Sequence, residues 1–258
     1  MTGTIDLNAD MGESFGPWQM GDDFALLETV TSANIACGFH AGDPDVMAKT
    51  IRAAHEKGVA IGAHPGFPDL QGFGRRPMTV PLDSLGNMVR YQIGAAQAVA
   101  RANGARIRHV KLHGALANMA AGDRQVALAC FQAALSVDPG LIIVAMAATA
   151  QQAAVQELGC SSALEIFADR AYNPDGSLVN RREPGAVIHD PDAIARRVAG
   201  MLKAGAIIAV DGTRIATPID TVCLHGDTAS AASIARRVRA TLQSEGIELA
   251  PFQGQPVP

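Results

Sequence analysis

Apolar, strand-like runs recur along this chain, and six of them end directly at a short polar motif. The run 59–63 ends at His64, for example, and the run 107–110 ends at Lys111. In a parallel β/α barrel the C-terminal ends of all strands lie on one face, so these polar groups would converge. The pattern therefore predicts an enzyme pocket at one end of a barrel. The groups that follow the six runs are Asn8, Asp10 and Glu13; Cys37 and His40; His64; Lys111 and His113; Asp169 and Arg170; and His225 and Asp227.

The order of the predicted elements favours an α/β fold with a parallel sheet and right-handed crossovers. Seven main strands predict a distorted, seven-stranded TIM-like β/α barrel that forms a single domain over residues 1–258. Asp211 and Gly212 form a hairpin signal outside the barrel, and the tail 251–258 is expected to be loosely held. The strands are predicted at about 4–8, 32–37, 59–64, 107–112, 141–146, 163–168 and 220–225, and the helices at about 21–30, 44–57, 82–103, 122–136, 147–158, 190–204 and 228–245.

Charge and composition exclude several classes of function. The formal net charge is -4 and no basic run occurs, which argues against nucleic-acid binding. No run of about 18 apolar residues lacks a charge, which argues against a membrane span. The chain starts without a secretion signal, so a cytoplasmic location is expected. Its four cysteines show no C-x-x-C spacing, which favours neither a zinc knuckle nor a disulfide framework.

The first strand carries three polar residues on one face. Asp6, Asn8 and Asp10 alternate, so their side chains project in the same direction. A buried row of acids is costly unless it is paired or metal-bound. Proton transfer, substrate binding or cation binding would use such a row, and loop capping by Asp6 or Asp10 is the structural alternative.

Two glycine-rich segments follow the next strands. The first is the segment 34–43, which begins at Asn34 and in which Gly38 and Gly42 permit close approach of the backbone to a ligand. His40 in this segment is a candidate acid or base. His64 begins a loop with the features of a lid, whose Arg75 and Arg76 could bind a carboxylate or phosphate. A solvated loop with surface arginines is the alternative.

Lys111 and His113 share one face of the fourth predicted strand. A lysine at a barrel strand end can stabilise an oxyanion, whereas a structural ion pair with a pocket acid is the alternative. The other three histidines, His55, His109 and His189, are interpreted as surface or structural residues. No phosphate-loop or dinucleotide motif occurs, so ATP would need an unconventional site.

Together these motifs resemble the LamB/YcsF family from residue 4 to about residue 245. The resemblance is carried in order by Asp6-Leu-Asn-Ala-Asp-Met-Gly-Glu-Ser-Phe-Gly16, Asn34-Ile-Ala-Cys-Gly-Phe-His-Ala-Gly-Asp43, Gly62-Ala-His-Pro-Gly66, Gly72-Phe-Gly-Arg-Arg76, Lys111-Leu-His-Gly-Ala-Leu116, Glu165-Ile-Phe-Ala-Asp-Arg-Ala-Tyr172 and Cys223-Leu-His-Gly-Asp-Thr228. The family usually has Pro and Tyr where this chain has Leu112 and Ala117, a change expected in the pocket wall.

The resemblance implies a barrel of the glycoside hydrolase/deacetylase type. It also implies cleavage of 5-oxo-L-proline to L-glutamate coupled to hydrolysis of ATP, with Mg²⁺ as the accompanying ion, in a complex with 5-oxoprolinase subunits B and C. Whether a further metal ion or a homo-oligomer is involved stays open.

The hypothesis that follows assigns proton transfer to Asp10, His40 or His64, and stabilisation of the oxyanion or phosphoryl oxygen to Lys111 with His113. Arg75 or Arg76 would bind the substrate carboxylate. Two alternatives remain, a metal-dependent amidase or deacetylase that acts on a small lactam or sugar amide, and a protein that only binds the lactam. The remaining candidate substrate-binding residues are Asp6, Asn8, Glu13, Asn34, Asp169, Arg170, His225 and Asp227.

Overall fold

The computed structural model describes residues 3–224 and 231–257. Strands and helices alternate along most of these residues. The strands are β1 (Thr4–Met11), β2 (Ser32–Ala36), β3 (Ala60–His64), β4 (His109–Lys111), β5 (Ile142–Met146), β6 (Ser162–Phe167), β7 (Ala206–Ile208), β8 (Arg214–Ala216), β9 (Thr221–Leu224) and β10 (Glu248–Leu249). The helices are α1 (Asp23–Leu27), α2 (Pro44–Glu56), α3 (Leu82–Ala102), α4 (Gly114–Gly122), α5 (Arg124–Val137), α6 (Ala150–Leu158), α7 (Pro191–Ala204) and α8 (Ala231–Ser244).

Seven of the described strands form a closed parallel barrel, which confirms the predicted fold class. Their order is β1-β2-β3-β4-β5-β6-β9, and β9 pairs again with β1. At this closure Asp6 lies opposite Thr221 and Asn8 lies opposite Cys223. The first residues of β1 also pair with β10. The first strand therefore holds the barrel together through partners from the end of the chain.

Apolar and polar residues alternate along β1, so its apolar side chains face the helices and its polar side chains face the interior of the barrel. Leu7 and Ala9 are fully buried and belong to the same apolar cluster as Ile93 of α3 and Val198 of α7. The polar residues between them point the opposite way, because successive side chains of a strand face opposite sides. The barrel therefore packs its outer face against the helices and directs its polar row inward.

The predicted helix starts are confirmed. Asp43 caps α2 by accepting from two backbone N–H groups, and Pro44 occupies the first helical position. Asp190 and Pro191 repeat this arrangement at α7. The antiparallel pair β7–β8 confirms the predicted hairpin.

Other local predictions are wrong. The helix predicted at about 122–136 is confirmed as α5, which Asp123 caps, but the preceding helix α4 was not predicted. The strand expected at 107–112 is only His109–Lys111. The tail is not loosely held, because Phe252 is buried and Gln255 exchanges two backbone hydrogen bonds with Ser162. None of the described helices combines the length and apolar character needed to cross a bilayer.

Candidate active site

The deepest polar layer of the barrel is built around Asp6, which is fully buried. Its carboxylate accepts hydrogen bonds from the hydroxyls of Thr31 and Ser32, each at 2.6 Å, and from the Thr221 hydroxyl. Burial raises the pKa of Asp6 to about 6, while the three hydroxyl donors lower it by less. Asp6 therefore binds structural hydroxyls from the neighbouring β2 and β9 and the residue before β2, rather than capping a loop.

Asn8 and Asn34 form the next layer. The Asn8 amide nitrogen donates to Glu165 at 3.0 Å, and its oxygen accepts from the Asn34 amide at 2.7 Å. Asn34 also donates to Asp10 at 2.9 Å and lies 2.8 Å from Nε2 of His109. This hydrogen bond and full burial place His109 inside the barrel as a structural residue. Its Nδ1 has no hydrogen-bond partner among the described residues, and burial lowers its pKa to about 3.

Lys111 lies at the centre of the upper layer. Its Nζ is 2.9 Å from Asp10, 2.9 Å from Glu165 and 3.0 Å from the sulfur of Cys223. Burial alone would lower the pKa of Lys111, but the acidic groups around it, Asp10 foremost, hold it well above its ordinary value. The lysine is therefore a fixed positive charge at the C-terminal ends of the strands.

Glu165 and Cys223 were missed as candidate residues. Both belong to motifs that match the family pattern, but they were interpreted as parts of apolar strands. A charged residue inside the otherwise apolar run 163–168 was the available signal for Glu165. Cys223 carried no comparable signal, because a buried cysteine is ordinarily a small apolar residue.

Three imidazoles lie together beside Lys111. We call these residues and one neighbouring acid the histidine cluster, which consists of His40, His64, His113 and Glu13. Nδ1 of His113 lies 3.0 Å from Nε2 of His64, and Nε2 of His40 lies 3.3 Å from Glu13 Oε1. The rings of His40 and His113 stack with centroids 3.6 Å apart. One donor atom from each of the four residues lies within 4.8 Å of every other. Asp10 adjoins the cluster, 3.4 Å from His64 Nε2.

Burial keeps two imidazoles of the histidine cluster, those of His40 and His113, uncharged. All four members are buried. Burial, followed by the neighbouring imidazoles, holds the pKa of His40 well below its ordinary value, and burial with His64 lowers the pKa of His113 to about 3. A neutral imidazole has a lone pair on one ring nitrogen, and this neutral form accepts protons and binds metal ions.

Two glycines provide space for the stacked rings. A Cβ at Gly66 would lie 2.8 Å from His40 Nδ1, and a Cβ at Gly74 would lie 2.6 Å from His40 Cβ and 2.8 Å from His113 Cδ2. Gly74 also has a φ of +62°, which L side chains rarely adopt. Glycines in the loop after His64 therefore act as spacers for the histidine cluster.

A cavity of about 780 Å³ opens above these groups. Asp10, Glu13, His64, Lys111 and His113 line it together. The five come from three strands and the residues that directly follow them, as the position of a barrel site requires. Their convergence is the feature predicted from the runs that end at polar motifs.

The rim of the cavity is basic. Arg75, Arg181 and Arg182 line it, and the latter two were not singled out in the sequence because they lie outside any strand end. Arg170 also lines it, but this buried guanidinium donates to the carbonyls of Val179 and Ala186 and so holds the loop after β6. Both positions that depart from the family pattern, 112 and 117, lie in the cavity wall as expected.

Several predicted substrate-binding residues lie elsewhere. Arg76 pairs with Asp69, and it is absent from the described residues that line the cavity, unlike Arg75. Asp6, Asn8 and Asn34 lie below the cavity and support it. His40 lies behind His113, and Asp169 is partly exposed outside the described lining. His225 and Asp227 fall outside the described residues.

A closed β/α barrel with acids, histidines and a lysine at the C-terminal ends of its strands has the arrangement of a β/α-barrel enzyme. The catalytic domain of a peptidoglycan N-acetylglucosamine deacetylase from Eubacterium rectale shares this fold, with a TM-score of 0.54 and 8% identity over 97% of this chain and 88% of that chain. The chain belongs to the LamB/YcsF family, whose model matches residues 5–256.

Two similar proteins match over nearly their full length. The A subunit of 5-oxoprolinase from Ruegeria pomeroyi is 64% identical over 249 residues, which cover 96% of this chain and 98% of that protein. The crystal structure of the lactam utilization protein from Thermus thermophilus superposes with a TM-score of 0.91 and 43% identity, and covers 96% of this chain and 100% of that chain.

Proposed function

We propose that this chain is the A subunit of an ATP-dependent 5-oxoprolinase, which cleaves 5-oxo-L-proline to L-glutamate in a complex with subunits B and C. The observation that carries the proposal is the 64% identity to the corresponding 5-oxoprolinase chain of Ruegeria pomeroyi, across nearly the whole of both proteins. The cavity supports it, because acid–base groups and a fixed cation converge where a small polar substrate would bind.

The chemistry explains why these groups are needed. An unstrained lactam is a poor electrophile, and phosphorylation of its amide oxygen by ATP would activate the ring carbon. Water must then be deprotonated as it adds to that carbon, and the negative charge on oxygen must be stabilised. Protonation of the ring nitrogen would break the C–N bond and give an acyl phosphate, which a second water would hydrolyse to glutamate and phosphate. In this scheme Asp10 or His64 accepts the proton, and the Lys111 ammonium group stabilises the charged oxygen. His113, which was predicted to share that role, has a pKa lowered to about 3 and directs its N–H at the Phe73 carbonyl, so it does not donate to the substrate oxygen. His40 acts through the histidine cluster rather than by contact with substrate.

Binding of the substrate anion is assigned to the basic rim. Arg75 is the arginine of the predicted pair that lines the cavity, so it is the candidate for the substrate carboxylate. Arg181 and Arg182 would bind phosphate oxygens of ATP and its Mg²⁺ complex, because arginine binds phosphate bidentately. A volume of about 780 Å³ leaves room for a second reactant beside a small lactam.

The test is glutamate and ADP release from 5-oxoproline and ATP, using this chain alone, subunits B and C alone, and all three together. The proposal expects turnover only in the full mixture. Lys111→Met should abolish that turnover, and Lys57→Met, which changes a surface lysine of another ion pair, should preserve it. Equal turnover without this chain, or ATP-independent amide cleavage by this chain alone, would overturn the proposal.

A further inference from the structure

The protonation of two rings in the histidine cluster is fixed by backbone carbonyls. Nδ1 of His64 lies 2.8 Å from the carbonyl of Lys111, and Nε2 of His113 lies 2.8 Å from the carbonyl of Phe73. A carbonyl oxygen only accepts hydrogen bonds, so both of these nitrogens carry the hydrogen. In the neutral form of each ring, the opposite nitrogen, Nε2 of His64 or Nδ1 of His113, therefore presents a lone pair.

These two lone pairs face each other at 3.0 Å. Neither nitrogen can donate to the other, so the contact is repulsive unless a cation lies between or beside them. Two nearby carboxylates would also stabilise a cation at this position. Glu13 Oε1 is 3.6 Å from His113 Nδ1, and Asp10 Oδ2 is 3.4 Å from His64 Nε2. The arrangement of these atoms therefore favours binding of a cation.

Three separations between donor atoms are close to those around one metal ion, and none of the others exceeds 4.8 Å, so small side-chain movements would bring all four atoms to an ion. Ligand atoms of a tetrahedral Zn²⁺ site lie about 3.4 Å apart, since each Zn–N or Zn–O bond is about 2.1 Å. The observed separations are 3.0 Å between His64 and His113, 3.3 Å between His40 and Glu13, and 3.6 Å between His113 and Glu13. The two carbonyl contacts are also the outer partners that metal-ligating histidines ordinarily have.

We propose that His40, His64, His113 and Glu13 form a binding site for one divalent transition-metal ion of the Zn²⁺ class. Imidazole-rich donor sets favour Zn²⁺, Co²⁺, Ni²⁺ or Fe²⁺ over Mg²⁺ and Ca²⁺, which prefer oxygen ligands throughout. The site is therefore distinct from that of the Mg²⁺ expected to accompany ATP. It rests on the geometry of the cluster and does not depend on the proposed reaction, in which Asp10 rather than His64 would accept the proton when His64 binds the metal ion.

The test uses the purified full-length chain after treatment with a chelator. Co²⁺ is titrated into the protein and followed by visible absorption, and Zn²⁺ affinity is measured by competition with a chromogenic chelator. The proposal expects one equivalent of each ion, with d–d bands of a low-coordinate Co²⁺ site, and no competition from millimolar Mg²⁺.

Variants connect the binding to the cluster. His113→Ala and Glu13→Gln should each weaken Zn²⁺ binding at least about tenfold and change the Co²⁺ spectrum. His55→Ala and His189→Ala, which remove histidines outside the cluster, should leave both unchanged. Far-UV circular dichroism confirms that each variant is folded, and Glu13→Gln preserves the shape of the side chain if the histidine variant does not fold.

Three outcomes would overturn the proposal. They are no stoichiometric binding by the wild type, unchanged affinity in both cluster variants, or equal loss in the two control-histidine variants. In the first case a shared proton, rather than a metal ion, bridges His64 and His113. Stoichiometric metal binding by a chain that gives no turnover of 5-oxoproline even in the full mixture with subunits B and C would refute the proposed function and leave the metal site intact.

Discussion

Replacement of Lys111 by methionine tests the polar interior of the barrel most directly. Methionine retains the length and most of the apolar volume of the side chain, and it removes the charge. In the wild type one ammonium group serves both Asp10 and Glu165 at 2.9 Å. The side chain of Lys111 is 4% exposed and that of Glu165 is 2% exposed, so water cannot replace the lost partner.

The expected cost follows from this burial. Removal of one partner from a buried ion pair costs about 3–5 kcal/mol, because the other charge is left without compensation. Lys111 has two such partners, which places Lys111→Met at the upper end, about 4–5 kcal/mol in the free energy of unfolding. Lys57→Met disrupts an exposed pair with Glu28 and should cost less than about 1 kcal/mol.

Urea unfolding of the isolated chain, followed by far-UV circular dichroism, provides the measurement. Trp18 is 70% exposed, so its fluorescence would report poorly on the core. Adding Glu165→Gln to Lys111→Met removes one of the uncompensated charges, and the double variant should be about 1–3 kcal/mol more stable than additivity predicts. A loss for Lys111→Met no larger than that of Lys57→Met, or strict additivity in the double variant, would refute the reasoning.

Three further predictions concern other layers of the site. Asp6 has a folded-state pKa of about 6, above its unfolded value of about 3.9, so the native state retains a proton that the unfolded state releases. The free energy of unfolding should therefore fall as pH rises from about 4 to 6, by at most about 3 kcal/mol from this group. Asp6→Asn should remove that pH dependence in urea unfolding measured at several pH values, and an unchanged dependence would contradict the assigned role of Asp6. Gly66→Ala should cost about 1–3 kcal/mol and weaken Zn²⁺ binding, because its Cβ meets an imidazole nitrogen at 2.8 Å. Gly94→Ala, in α3 with open space around it, should be neutral or stabilising in the same thermal-melting series, and equal effects would refute the spacer role. Arg75→Ala should raise KM for 5-oxoproline at least about tenfold in the reconstituted complex, whereas Arg76→Ala should change KM little. A larger increase in KM for Arg76→Ala than for Arg75→Ala would show that Arg76 binds the substrate carboxylate.

The barrel was predictable because the sequence of six of its seven predicted strands contains both an apolar run and a polar end. His64, Lys111 and His113 directly terminate or follow apolar runs, and the structure brings them together. Local cap signals were equally strong, since Asp43 before Pro44 has few other interpretations. The position of these residues on the barrel follows from strand order alone, without knowledge of packing.

The missed features depend on contacts between distant residues. Glu165 matters through its distance to Lys111, which no pattern within 163–168 contains. His109 appeared ordinary because its place inside the barrel depends on Gly62, where a Cβ would lie 2.1 Å from the ring. The helix α4 was missed because Gly114, with a φ of +53°, is typical of a loop in sequence although it begins a helix here.

Closure of the barrel through β1 also constrains how the chain folds during synthesis. The hydrogen bond between Asp6 and Thr221 spans 215 positions, and β10, the other late partner of β1, is translated later still. Contacts of such high sequence separation form slowly, and nearly the whole chain must leave the ribosome before they are available. Until then one edge of the first strand is unpaired, and its charged inner face disfavours pairing with other nascent chains. We therefore expect the acids on the inner face of β1 to disfavour aggregation of the growing polypeptide as well.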